Sequence, residues 1–212
     1  IRIPIWILSF VFATVATAVA FIGLYENAQE RQAIAATMEN PAMTAMVGPG
    51  YGLANYTSGA MMAHQMLLMT AVVVGLMSVL LVIRHTRTDE EDGRIEMVRA
   101  LPVGRLSNVA ATLLVLFLVN IVLAVLTGIS LYALNIESME LEGSLLYGAA
   151  LGATGMIFAS LTAVCAQLSH NARSAMGLSI GILLLAYIVR AIGDVGSEAV
   201  AWLSPLGWIV RS

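Results

Sequence analysis

The chain has 212 residues, of which 59% are hydrophobic and 11% charged, with a formal net charge of −3. Ordinary soluble domains carry roughly 25% charged residues, so this composition excludes a disordered chain and argues against a water-soluble globule. All ten Lys+Arg positions are Arg, which leaves no Lys for a Walker A phosphate loop, and the single Cys excludes an internal disulfide framework.

A helix that crosses a bilayer needs about 20 mostly apolar residues. Five stretches reach that length, and in lipid the backbone must satisfy its own hydrogen bonds, so each is expected as a helix. The fold class is therefore all-α: a polytopic membrane protein with five visible spans. The first span is 3–23, IPIWILSFVFATVATAVAFIG. Arg2, the apolar run and the small residues Ala18 and Ala20 also fit a signal peptide, but the run is long for one and four more spans follow.

Residues 24–63 form a long connection. NAQERQAIAATMENPAMTAM has helical periodicity broken at Pro41, and GPGYG at 48–52 reads as a turn. GPGYG lacks the GxGxxG spacing and a preceding strand, so it is not a phosphate cradle. Asn55-Tyr56-Thr57 matches the weak glycosylation sequon. The second span is 65–83, and the third, about 107–134, carries Asn120 as its one strongly polar mid-span residue. Asn120 is a candidate for lining a substrate path or for hydrogen-bonding a neighbouring helix. The fourth span, about 144–167, holds Gly148, Gly152 and Gly155; the fifth, about 174–191, holds Gly177 and Gly181. Both sets match the spacing that lets helix backbones approach closely.

Residues 192–212 are expected as an interfacial or re-entrant segment, because Trp202 and Trp208 suit the membrane interface. Arg190 and Asp194 are four apart and either pair on a continuing helix or stay separately solvated. His64, His85 and His170 show no HxxxH-type spacing, so no metal site is expected. No G-x-S-x-G elbow or similar nucleophile arrangement is present.

Residues 84–105, RHTRTDEEDGRIEMVRALPVGR, hold five Arg and five Asp/Glu. Arg in short loops marks the cytoplasmic side, which puts this segment and the N-terminus inside. The 24–63 and 192–212 segments then lie outside, and a sixth span is expected after Ser212. Thr88 and Glu91 form a T-x-x-E capping box, acids fill the following turn, and Pro102 and Gly104 end the run. A short surface helix over 89–101 is expected. The positive-inside rule explains the Arg but not the matching acids; balanced signs suit a protein-docking surface.

The same segment resembles the first cytoplasmic loop of the permease of type-2 ABC exporters of the polyketide-antibiotic (tetronasin-like) kind. RHTR (84–87), Glu90, Glu91, Gly93, Arg94 and Glu96, and LPVGR (101–105) carry the resemblance, with NPAMTAMVGPG (40–50) and SPLGW (204–208). It implies about twelve spans in two similar halves, with this chain as most of the first half of a bacterial plasma-membrane permease. It implies a cytoplasmic ATPase partner, as a dimer, that holds ATP and Mg, while this chain is no enzyme and binds no cofactor. Docking is expected at Asp89, Glu90, Glu91, Arg94, Ile95, Glu96, Val98, Arg99 and Leu101, with a second contact at His170, Asn171 and Arg173. The further partners are a second permease half or copy, the lipid bilayer and a small hydrophobic cargo, with no nucleic acid. The competing readings are a membrane scaffold or sensor that docks a partner, and an ion-coupled carrier. The carrier is disfavoured by uncharged span centres.

Overall fold

The structure is a computed structural model that describes residues 2–25, 27–91 and 107–211. Those residues are helical and contain no strand. Five helices are long and apolar enough to cross a membrane. They are α1 (Arg2–Leu24), α4 (Ser58–Ile83), α5 (Ser107–Ala133), α6 (Leu141–Leu168) and α7 (Ala172–Val195). Short helices α2 (Ala28–Met38), α3 (Pro41–Val47), α8 (Glu198–Ala201) and α9 (Pro205–Val210) complete the set. Each of the five apolar runs lies in one of these helices.

Local chemistry sets many of the ends. Pro41 opens α3, with the Asn40 side chain accepting a hydrogen bond from Ala42 N at 2.9 Å. The break expected at Pro41 is thus a fresh helix start. Thr57 caps α4 through Ala60 N, which moves the start of the second span seven residues ahead of position 65. Asn171 caps α7 through Ser174 N at 2.7 Å, and Ser204 caps α9 through Leu206 N ahead of Pro205.

α4 and α6 form the interior. In their most apolar 18-residue windows 61% and 56% of residues are buried, against 17%, 22% and 28% for α1, α5 and α7. The outer three leave large apolar side chains exposed, as Phe12, Leu114 and Ile188 illustrate. The α5–α6 seam is built on small residues. A methyl group at Gly148 would collide with Ala124 O, and one at Gly155 with the Asn120 side-chain oxygen. The expected Gly148–Gly152–Gly155 packing stripe is therefore a true close approach. The Gly177–Gly181 pair is different: both are exposed, and nothing among the described residues lies within 4 Å of a Cβ built there. That spacing marks no contact among the described residues.

The expected helix start at Thr88 is corrected by the structure. The helical backbone does not end with α4 at Ile83. It passes through a π-helical turn, Arg84–Thr88, into Asp89–Glu91, making one helical run from Ser58 to Glu91. Thr86 Oγ1 donates to Val82 O within this run, at 2.7 Å. Thr88 therefore has no free helix end to cap. The rest of the expected helix, 92–101, lies outside the described residues.

α2, α3, α8 and α9 gather at the end of the bundle opposite Glu91. Arg31, 7% exposed, donates to Tyr25 O at 3.1 Å and pairs with Glu137 at 3.2 Å in the α5–α6 connection. Gly59 N donates to Glu137 O, and Ser138 Oγ to Thr57 Oγ1. The connections at this end are thus knit together by polar groups above the apolar core.

Candidate functional site

Two polar clusters stand at opposite ends of the bundle. The first surrounds the start of the charged segment. Arg87 pairs with Glu90 at 2.8 Å and donates through Nε to Ala166 O, one turn from the end of α6, at 2.5 Å. Glu91 Oε1 accepts from Ala172 N at 2.7 Å. That carboxylate sits on the first turn of α7, where the helix dipole and free N–H groups favour an anion. Glu91 thus caps α7. His85 lies 3.8 Å from Asp89, and its carbonyl accepts from Asn108 and Thr112 of α5.

This geometry joins two stretches that sequence reasoning treated as separate contacts. Asp89 and Glu90 are half-buried, while Glu91, His170, Asn171 and Arg173 are exposed on the same end of the bundle. Arg94, Ile95, Glu96, Val98, Arg99 and Leu101 lie outside the described residues. The link between Glu91 and Ala172 spans 81 positions, and no local pattern signals it.

Asn120 is fully buried in the α5–α6 seam. Its Nδ2 donates to Leu116 O of its own helix at 2.9 Å, and its Oδ1 faces Gly155. Among the described residues it lies between helices.

The second cluster centres on Arg190, which is 0% exposed. Its guanidinium pairs with Asp194 at 2.8 Å, and Arg211 reaches the other oxygen of Asp194 at 2.6 Å. Arg190 also donates to Ala45 O of α3 at 2.5 Å and stacks over the Tyr187 ring at 4.8 Å. The Tyr187 hydroxyl donates to Met46 O at 2.9 Å. The expected i,i+4 pair is formed, and it is buried rather than solvated. Its third member, Arg211, carried no sequence signal, because the 197–210 hairpin brings it back.

Beside this cluster a chain of hydrogen bonds holds the GPGYG turn to α4. His64 Nε2 is 3.2 Å from Gly48 O and Nδ1 is 2.9 Å from the Tyr56 hydroxyl, which Gln65 reaches at 3.2 Å. A carbonyl can only accept, so Nε2 carries a proton, and in the neutral ring Nδ1 accepts from Tyr56. Burial pushes the Tyr56 phenol up from its ordinary value, against an opposing pull from the Gln65 hydrogen bond. The phenol therefore keeps the proton it donates. Gly48 adopts a positive φ of 106° and passes so close to Val210 that a side chain there would clash.

The profile of the family described as "Multidrug efflux system permease Rv1217c, C-terminal domain" matches residues 5–212. The chain belongs to that family. It is 37% identical over 213 residues to the multidrug efflux system permease protein Rv1217c of Mycobacterium tuberculosis, with 100% of this chain and 38% of that protein aligned. The chain thus spans well under half of the curated relative it matches. Membership of the Rv1217c C-terminal-domain family, together with five apolar helices of spanning length, makes this a multi-pass membrane protein of permease type. The family is named for a C-terminal domain, so the first-half placement drawn from the resemblance finds no support in it. Neither match names the tetronasin-like kind.

Proposed function

We propose that this chain is part of the permease of an ATP-driven ABC exporter, of the polyketide-antibiotic kind, in the bacterial plasma membrane. The name of the M. tuberculosis relative, a multidrug efflux permease, supports export of small molecules. Uncharged span centres favour a hydrophobic or amphipathic cargo. A separate cytoplasmic ATPase dimer supplies ATP hydrolysis with its Mg, and a second permease half or copy completes the path. Residues 84–105 and the N-terminus then face the cytoplasm, as the concentration of Arg in that segment directs.

The observation that carries this reading is the bond from Glu91 to Ala172 N, joined by Arg87 to Ala166 O. It ties the charged segment to the 168–172 connection, so a partner pressing on either moves both. The charged segment also begins as a direct extension of α4. A run of 34 residues reaches about 50 Å at 1.5 Å per residue. A push at Glu91 is delivered along one rod to the Tyr56–His64 end. In this reading the chain transmits force, and covalent chemistry is left to the ATPase partner.

Co-purification of the intact permease with its ATPase, followed by ATP turnover in lipid, tests the reading. The expected result is a stable complex whose hydrolysis rises with a hydrophobic compound. A permease that inserts and folds but never retains an ATPase overturns it.

A further inference from the structure

At the end of the bundle opposite Glu91 lies a pocket of about 380 Å³, within the size range of small-molecule sites, about 300–1,000 Å³. Its walls are Val47 and Pro49 from the α3 turn, Ala60, Ala63 and Leu67 from α4, and Val210 from α9, with Tyr51 and His64. We propose that this pocket binds one uncharged, apolar molecule.

The chemistry of the lining decides the class. No Asp, Glu, Lys or Arg contributes to it, and an ion placed there without a partner would lose its hydration uncompensated. As a neutral imidazole, His64 adds no charge to the pocket. Both its ring nitrogens are engaged, one to Gly48 O and the other to the Tyr56 hydroxyl, so only ring carbons remain for a ligand. Tyr51, 59% exposed, supplies an aromatic ring to the lining.

A second, independent observation is that two of the walls are pinned by an ion cluster whose members do not line the pocket. Arg190 holds Ala45 O, two residues before Val47, while its partner Asp194 holds Arg211, next to Val210. Two walls from distant parts of the sequence are thus fastened to one buried ion cluster. The third wall, α4, is fastened to the turn through His64. A cavity kept open by such anchors pays little ordering entropy on binding.

The source of the molecule is either a free hydrophobic compound, such as an export cargo, or the acyl tail of a bilayer lipid. The proposal does not need the ATP-driven reading, since binding is measured without nucleotide or ATPase. The intact permease in phosphatidylcholine nanodiscs is titrated with N-phenyl-1-naphthylamine, an uncharged dye that fluoresces in apolar surroundings. In parallel it is irradiated with a phospholipid that carries a diazirine on its tail. Ala63→Leu and Ala60→Leu each fill the pocket from α4 one turn apart, so one serves if the other fails to fold; melting and monodispersity identify the folded one. Saturable dye binding that weakens at least tenfold on filling assigns a free small molecule. Lipid cross-links to residues 47–67 that filling abolishes, without saturable dye binding, assign a bilayer tail. Dye binding and cross-linking that are both unchanged in a folded filled variant overturn the site.

Discussion

At the scale of single residues, Asp194 is held by two arginines at once. Its side chain is fully buried between two arginines, with Arg190 equally buried and Arg211 7% exposed. Removing one partner of a buried pair leaves an uncompensated charge, at about 3–5 kcal/mol. Asp194→Ala is therefore expected to lower the melting temperature sharply in detergent, and to do so far more than Glu30→Ala on the exposed surface of α2. Equal melting of the two variants would mean the cluster is solvated. Gly155 is constrained by shape instead. Gly155→Leu must displace Asn120 and Val74, and overpacking of this kind costs about 1–3 kcal/mol. Gly177→Leu, on an open face, is expected to leave the melting of the isolated chain unchanged. The spacing rule treats Gly148–Gly152 and Gly177–Gly181 alike, and only the partner helix distinguishes them.

At the scale of elements, the five spans were readable because length and hydropathy alone decide them. Helix ends were less so, and the reason is visible at Thr88. T-x-x-E satisfies a local rule, but Glu91 is taken by Ala172 N from 81 positions away, and the backbone stays helical through a π turn. A local motif loses where tertiary partners offer the same acid a helix N-terminus. The ion cluster shows the same limit, since Ala45 and Arg211 cannot be placed beside Arg190 by periodicity. The Glu91 contact is itself testable. Glu91→Ala removes an anion from the first turn of α7, a loss of about 0.5–1 kcal/mol. Amide exchange at 172–174 is expected to accelerate about two- to fivefold, with α6 unaffected. Exchange at 172–174 that matches the unmodified chain would show that Glu91 does not cap α7.

At the scale of the whole molecule, the two ends are built differently. One end is closed by four short helices, a buried ion cluster and the apolar pocket. The other presents acids and arginines on a helix continuous with the core. Such polarity suits a protein driven from one side. The distribution of Arg across the short connections sets which side that is, and the direction of force in the exporter reading depends on it. A cysteine placed at position 99 by Arg99→Cys decides the matter, because the native Cys165 is buried and competes little for a charged maleimide. In intact cells the impermeant reagent is expected to leave position 99 unlabelled, and in inverted vesicles to label it fully. Tyr51→Cys, at the exposed turn of the opposite end, should give the reverse pattern. If position 99 reacts from outside, the Arg-rich segment is extracellular and no cytoplasmic ATPase can reach it. The docking role would then fall with the orientation, while the pocket at the other end would stand as a separate question answered by its own titration.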